Sequence, residues 1–204
     1  MKKTAMILAL MFLFCAFNRQ GFTSGLCGRV LTSYKGVDVF SNDGHGGEGC
    51  AGRGAYGLQY QCVEYVRRFY HQIKGIETRE GMMGFRWNGD ASTYVVTARE
   101  KGLTFYANGG IVAPEPDDIL AFSGGLYGHV AIIAFVGPNT VHLVEQNSST
   151  VGEASVSYNP QTHRLEDYWV GSTRFHPEGW LRVATDHPPV TGTQAVLRES
   201  APSR

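Results

Sequence analysis

The chain has 204 residues, with 43% hydrophobic and 18% charged side chains. This is the size and balance of one globular domain with tails. Lys+Arg and Asp+Glu number 18 each, which argues against a basic nucleic-acid-binding surface. The 26 glycines argue for many turns rather than a helical bundle.

Residues 1–25 read as a signal peptide: Lys2 and Lys3, an apolar run from Ala5 to Phe17, then small residues at Thr23, Ser24 and Gly25. The run is shorter than the about 20 residues of a membrane span. An uncleaved anchor is the alternative. Cleavage after Gly25 would remove Lys2, Lys3 and Arg19 and no acid, leaving a formal charge of about −3. An exported, periplasmic or extracellular protein is therefore expected, without affinity for anionic membranes and with no integral membrane partner implied.

Cys15 would leave with the signal, and Cys27, Cys50 and Cys62 would meet an oxidising compartment. Cys27 and Cys50 flank a glycine-rich stretch and are expected to pair, leaving Cys62 free. An unpaired Cys27 and a Cys50–Cys62 bridge are the alternatives. An odd cysteine in an exported chain is either buried and inert or reactive.

Further along, Gly36–Phe40 alternates as a short strand, and residues 41–57 read as loop. From Cys62 to Lys74, Val63, Val66, Phe69, Tyr70 and Ile73 recur at helical spacing, with Arg67, Arg68, His71 and Lys74 mostly off that stripe. Gly75 is a helix stop. A weaker helix is expected over Ala91–Lys101. Pro114 and Pro116 mark a turn, and Ile119–Phe122 is a short strand. His129–Val136 and Val141–Asn147 form a hairpin about Gly137-Pro138-Asn139, and Trp180–Val183 closes the set. The composition after Asp186 predicts a disordered tail over 186–204, bounding the domain at 26–185. Helices and strands are segregated, which defines an α+β domain with an antiparallel sheet.

Cys62 opens its helix, where free N–H groups and the helix dipole favour thiolate. A thiolate there can attack a carbonyl, and the backbone N–H of Cys62 can hold the oxyanion. Such a nucleophile needs a base and the base needs an orienting partner. His129, after Gly128 at a strand end, is the candidate base. If the hairpin turn holds three residues, His129 pairs near Asn147 and shares a face with Glu145. A two-residue turn would put Glu145 on the other face. Singly, each residue has an ordinary reading: a surface histidine, a solvated glutamate, a small buried cysteine. His45, His129, His142 and Cys62 show no close metal-ligand spacing, so no metal is expected.

The blocks Tyr60-Gln61-Cys62-Val63-Glu64-Tyr65-Val66-Arg67-Arg68-Phe69, Gly128-His129-Val130-Ala131-Ile132-Ile133 and Val144-Glu145-Gln146-Asn147 resemble the signatures of the CHAP family. These are the cysteine, histidine-dependent amidohydrolases/peptidases. Within the family the likeness is nearest to the amidase domain of bifunctional glutathionylspermidine synthetase/amidases. The resemblance implies a papain-like fold and no cofactor. It implies Cys62 as nucleophile, His129 as general base and Glu145 as its orienting acid. Asn147 would be a further polar residue of the site, Gln61 oxyanion or local support, and Arg67 structural. One departure is Pro116-Asp117-Asp118-Ile119, where the family usually has Gly-Asp-Ile. The substrate expected for an exported member is a peptidoglycan peptide. A small amide conjugate of the glutathionylspermidine type is the alternative substrate, and a catalytically silent secreted binding module the alternative role.

Overall fold

A computed structural model describes residues 25–44 and 50–184. The expected signal peptide, apart from Gly25, the expected tail and His45 lie outside these described residues. The chain folds as hairpin β1 (Val30–Tyr34) and β2 (Val37–Phe40), a minimal hairpin β3 (Arg53–Gly54) and β4 (Gly57–Leu58), and helix α1 (Cys62–Lys74). There follow a 3-10 turn (Ala91–Thr93), β5 (Leu103–Ala107), β6 (Ile119–Ser123), β7 (His129–Val136), β8 (Thr140–Val144) and β9 (Glu153–Asn159). Then come β10 (Arg164–Leu165), β11 (Tyr168–Val170) and β12 (Thr173–Val183). The order β10-β9-β8-β7-β6-β12-β11, with β5 also on β12, makes one antiparallel sheet of eight strands. With α1 packed against β7 and β2, this is an α+β, papain-like fold.

The sheet buries both faces. Val130 and Ile132 of β7 point to the α1 side, where Tyr65, Val66 and Phe69 complete a core with Ile119, Ala121 and Leu181. Ala131 and Ile133 point the other way, against Leu120, Phe122, Leu143, Val156 and Trp180. The period-two alternation of a strand assigns neighbours to opposite cores. A strand buried on both faces therefore reads as the continuous apolar run Val-Ala-Ile-Ile.

Helix α1 has the expected bounds and ends at Gly75, whose φ of 67° lets its own N–H reach the His71 carbonyl and the Ile76 N–H the Tyr70 carbonyl. Its polar side differs from expectation. Arg67 and Arg68 are both buried, because each finds a carboxylate: Arg67 bonds Glu80 at 2.9 Å and Arg68 bonds Glu64 at 2.7 Å. A buried guanidinium persists only when paired in this way.

The expected helix over Ala91–Lys101 is instead a three-residue 3-10 turn followed by further turns. Val95, Val96 and Thr97 are β-branched and poor helix formers. The Thr97 hydroxyl also bonds the Thr93 carbonyl at 2.6 Å, a local competitor of helix bonding.

Three residues, Gly137-Pro138-Asn139, separate β7 from β8, but the register beside them is not that of a three-residue loop. The pair nearest the turn is Val136 with Val141, which encloses four residues. A bulge between Ile133 and Phe135 then shifts the register by one, giving Ile132 opposite Val144. Carried on past that last pair, the register sets His129 against Asn147 and returns Glu145 to the His129 face. The second strand ends at Val144 rather than Asn147, and Asn147 takes a left-handed φ of 62°. Asp117, where the resembled family carries Gly, also has a left-handed φ of 77°. Its carboxylate accepts from Lys35 and Lys74 at 2.6 and 2.7 Å and from Tyr34, contacts that hold an otherwise costly backbone.

Candidate active site

Cys27 and Cys50 form a disulfide, and Cys62 is free. Cys62 is the first residue of α1, with Gln61 as extended N-cap. Its sulphur is hydrogen-bonded by the His129 side chain and by the backbone N–H groups of Val130 and Val63. Burial pushes the thiol up. The His129 hydrogen bond and charge, with the two backbone donors, bring it below its ordinary value.

Two glycine-dependent features place His129. Gly128 has φ 68°, and a Cβ there would lie 2.8 Å from Ser92 N and 2.9 Å from Phe122 O. Only a residue without a side chain lets the chain enter β7 at this point. His129 is buried, and its Nε2 bonds Glu145 Oε2 at 2.9 Å. Nδ1 is thereby left to face Cys62. The ring lies between Phe122 and Phe175, with centroids 5.9 and 5.5 Å away. Burial alone would lower the imidazolium's pKa. The bonds to Cys62 and Glu145 outweigh it and raise the group above its ordinary range.

Glu145 is fully buried. Burial pushes its carboxyl up, but His129, then the Tyr168 hydroxyl and Ser148, hold it below the ordinary carboxylate range. Tyr168 donates to Glu145 Oε1 at 2.6 Å. His129 thus lies between two acceptors, Cys62 and Glu145, each of which also accepts from donors on its far side.

The other two anticipated residues adjoin this line. Asn147 donates through Nδ2 to Gln61 Oε1 at 2.6 Å, so both lie beside the helix start. Gln61 and Cys62 open onto a cleft of about 430 Å³, also lined by Tyr56, Arg67, Asp90 and Tyr127. Arg67 is structural in this sense: it bonds the Tyr56 carbonyl and Glu80 beneath the cleft. Among the described residues no three His, Cys, Asp or Glu side chains converge as metal ligands.

Three contributors were not singled out from sequence. Tyr168 comes from β11, 23 positions beyond Glu145, and only the folded sheet brings it there. Gln146 is fully buried. It accepts from Phe40 N at 2.9 Å and donates to Gln61 O at 3.0 Å and Glu64 Oε2 at 2.7 Å. The signal was available: between Glu145 and Asn147 on one face, a residue of strand-like periodicity faces α1. Asn42 bonds Asn147 Oδ1 through Nδ2 at 2.8 Å, from a segment read as loop.

A helix-borne cysteine, a strand-borne histidine and a buried acid on an antiparallel sheet place the molecule in the papain-like class. Residues 52–147 match the family model of the CHAP domain, a match that implies amidase or peptidase hydrolysis of an amide-containing substrate. The chain is also similar to "Trypanothione synthetase" of Crithidia fasciculata, 30% identical over 122 residues. That alignment covers 55% of this chain and 18% of the relative, so the chain spans under a fifth of that protein's length. Among the described residues no helix is long and apolar enough to cross a membrane.

Proposed function

We propose that the protein is an exported cysteine amidase/peptidase that hydrolyses amide bonds in peptidoglycan peptides. The observation that carries this reading is the hydrogen-bonded line Cys62–His129–Glu145 at the start of α1, opening onto the cleft. The Cys62 thiolate attacks the amide carbonyl and forms the C–S bond. The oxyanion is held by the Cys62 backbone N–H and the Gln61 side-chain amide. The His129 imidazolium gives its proton to the leaving nitrogen as the C–N bond breaks. Neutral His129 then takes a proton from water, which attacks the thioester and releases the acid and the free thiolate. Glu145 keeps the ring oriented and stabilises its charged form.

Export is supported by the Lys-flanked apolar run before Gly25 and by the Cys27–Cys50 disulfide, a bond of oxidising compartments. Outside the cytoplasm, peptidoglycan is an abundant amide polymer. The test is mass spectrometry of purified walls digested by wild type and by Cys62→Ala. New peptide termini in the wild-type digest alone are expected. Equal digestion by both proteins would sink the proposal.

A second reading keeps the chemistry and takes a small amide conjugate of the glutathionylspermidine type as substrate. It is favoured by the similarity to a trypanothione synthetase. Hydrolysis rates on such a conjugate and on a soluble muropeptide, compared side by side, separate the two.

A further inference from the structure

We propose that Asp90 is a specificity-determining residue of the cleft, and that its carboxylate receives a protonated amine carried by the amide substrate. This rests on the proposed hydrolysis at Cys62 and deepens it by naming a charge on the substrate. Two sources supply that chemistry: the free amine of a diamino acid in a peptidoglycan stem, or an amine of a polyamine conjugate.

Five charged side chains line the cleft with Cys62, namely Arg53, Glu64, Arg67, Glu80 and Asp90. Four of them are spent on ion pairs. Arg53 donates to both Glu80 oxygens at 2.7 and 2.6 Å, and Arg67 to Oε1 at 2.9 Å. Glu64 accepts from Arg68 at 2.7 Å. Asp90 is exposed, and among the described residues no hydrogen bond or ion pair reaches its carboxylate.

The backbone explains why this carboxylate is free. An aspartate just before a helical turn ordinarily caps it, accepting from the second or third N–H. Asp90 precedes the 3-10 turn Ala91–Thr93 and makes no such bond. Both donors are already taken by carbonyls: Ser92 N–H donates to Tyr127 O at 2.8 Å and Thr93 N–H to Asp90 O at 3.0 Å. The Thr93 hydroxyl also donates to Asp90 O, at 2.8 Å. The main chain of Asp90 is thus held while its side chain is released. Trp87, Ala91 and Tyr94 anchor the segment in the core on either side. The turn also lies against the approach to the base, since a Cβ on Gly128, the residue before His129, would stand 2.8 Å from Ser92 N. An ionised carboxylate only accepts. On a fixed support, in a cleft shared with the nucleophile, it selects a cationic donor. The Arg53–Glu80–Arg67 cluster holds one positive charge in excess, which discourages an ammonium from settling there instead. A pair this open to water sorts substrates more than it tightens them.

The test is a ratio of rates. The value of kcat/KM is measured for a lysine-containing muropeptide and for the same peptide acetylated on that amine. It is measured again for glutathionylspermidine and for its form acetylated on the terminal polyamine amine. Wild type is expected to favour the free amine about 5- to 10-fold in one of the two pairs, and that pair names the source. Asp90→Asn should bring the ratio close to one, and Asp90→Lys should take it below one. Added salt should shrink the wild-type ratio and leave that of Asp90→Asn in place. Losses of folding or of thiol reactivity affect both members of a pair and cancel in the ratio.

A second measurement needs no turnover. The aminoethyl and sulfonatoethyl methanethiosulfonates each form a mixed disulfide with the Cys62 thiolate and release methanesulfinate. The preference for the cationic reagent should fall in Asp90→Asn and fall further in Asp90→Lys. Either of two results overturns the inference: free-to-acetylated ratios that are the same in wild type and Asp90→Asn, or a reagent preference that is the same in all three proteins. The thiol mechanism fails separately, if Cys62→Ala hydrolyses the amides as fast as wild type.

Discussion

Tyr168→Phe isolates what keeps Glu145 charged. The substitution removes one oxygen and retains the ring, which lies 5.8 Å from Phe122 and 6.3 Å from Phe175. The lost bond is the 2.6 Å donation to Glu145 Oε1. Hydrogen bonds to a charged group contribute about 1.5–3 kcal/mol, and a pKa unit corresponds to about 1.4 kcal/mol. The Glu145 pKa should therefore climb by about one to two units. Its native value is depressed, so its stabilising contribution is present above the ordinary carboxylate pKa and is lost as pH falls through the folded value. Raising that folded value moves the loss to higher pH. The acid limb of kcat/KM should shift upward by about one to two pH units, and the thermal melting temperature should begin to fall at higher pH than in wild type. Activity profiles and melts from pH 4 to 8 read both. An acid limb that does not move, with wild-type melting at pH 5, would refute the argument that Tyr168 holds the carboxylate.

Three other outcomes follow from the same geometry. With the Cys62 thiol lowered and the His129 imidazolium raised to about 10, the ion pair should form below the ordinary thiol pKa of about 8.5 and persist above the ordinary histidine pKa of about 6.5. Iodoacetamide alkylation should thus rise to its plateau at lower pH than an ordinary thiol allows. A rate that instead rises as a simple free-thiol titration near pH 8.5 would contradict it. Gly128→Ala should cost about 2–4 kcal/mol, because its Cβ meets three backbone atoms within 3.0 Å and its φ is strained for alanine. Turnover should fall with it as His129 shifts, and denaturant melts alongside kcat measure the pair. Reduction of the Cys27–Cys50 bond, which spans a separation of 23 residues, should lower stability by about 3 kcal/mol in the chain-entropy model, read as a lower urea midpoint in dithiothreitol.

Much of the site was legible because its chemistry sits in short, ordered blocks. Cys62 at a helix start and His129 after a glycine are marked as candidates by local context alone. Glu145 was reachable only through hairpin arithmetic, and the route was partly wrong. The turn pairs Val136 with Val141, and the bulge between Ile133 and Phe135 restores the register that pairing across a three-residue loop would have set. Tyr168, Asn42 and Gln146 escaped because their partners lie 23, 105 and 78 or more positions away, and no local pattern encodes such pairs. The missed strands have varied causes. Strand β9 alternates over Glu153–Asn159 with Val156 and Tyr158 inward, so its signal was present but lay among serines and glycines. Strand β12 begins at Thr173, well before Trp180, because a bulge between Pro177 and Gly179 lets a proline sit within a paired strand. Arg67 and Arg68 were misplaced because periodicity treats charge as a solvent marker, whereas pairing with Glu80 and Glu64 buried both.

The match to the family model ends at residue 147, but the physical site does not. A carboxylate with no solvent exposure neutralises unless donors surround it. Glu145 has His129 from β7, and it has Tyr168 and Ser148 from beyond its own strand. Phe175 of β12 closes the opposite side of the imidazole. The β11–β12 hairpin is held in place by pairing Tyr168 with Phe175 and by the union of β12 with β6. The sheet edge therefore supplies the dry wall and the last hydrogen bond that let His129 carry a charge next to Cys62. The blocks that carry Cys62, His129 and Glu145 and the strands that surround them are separable in sequence but not in electrostatics.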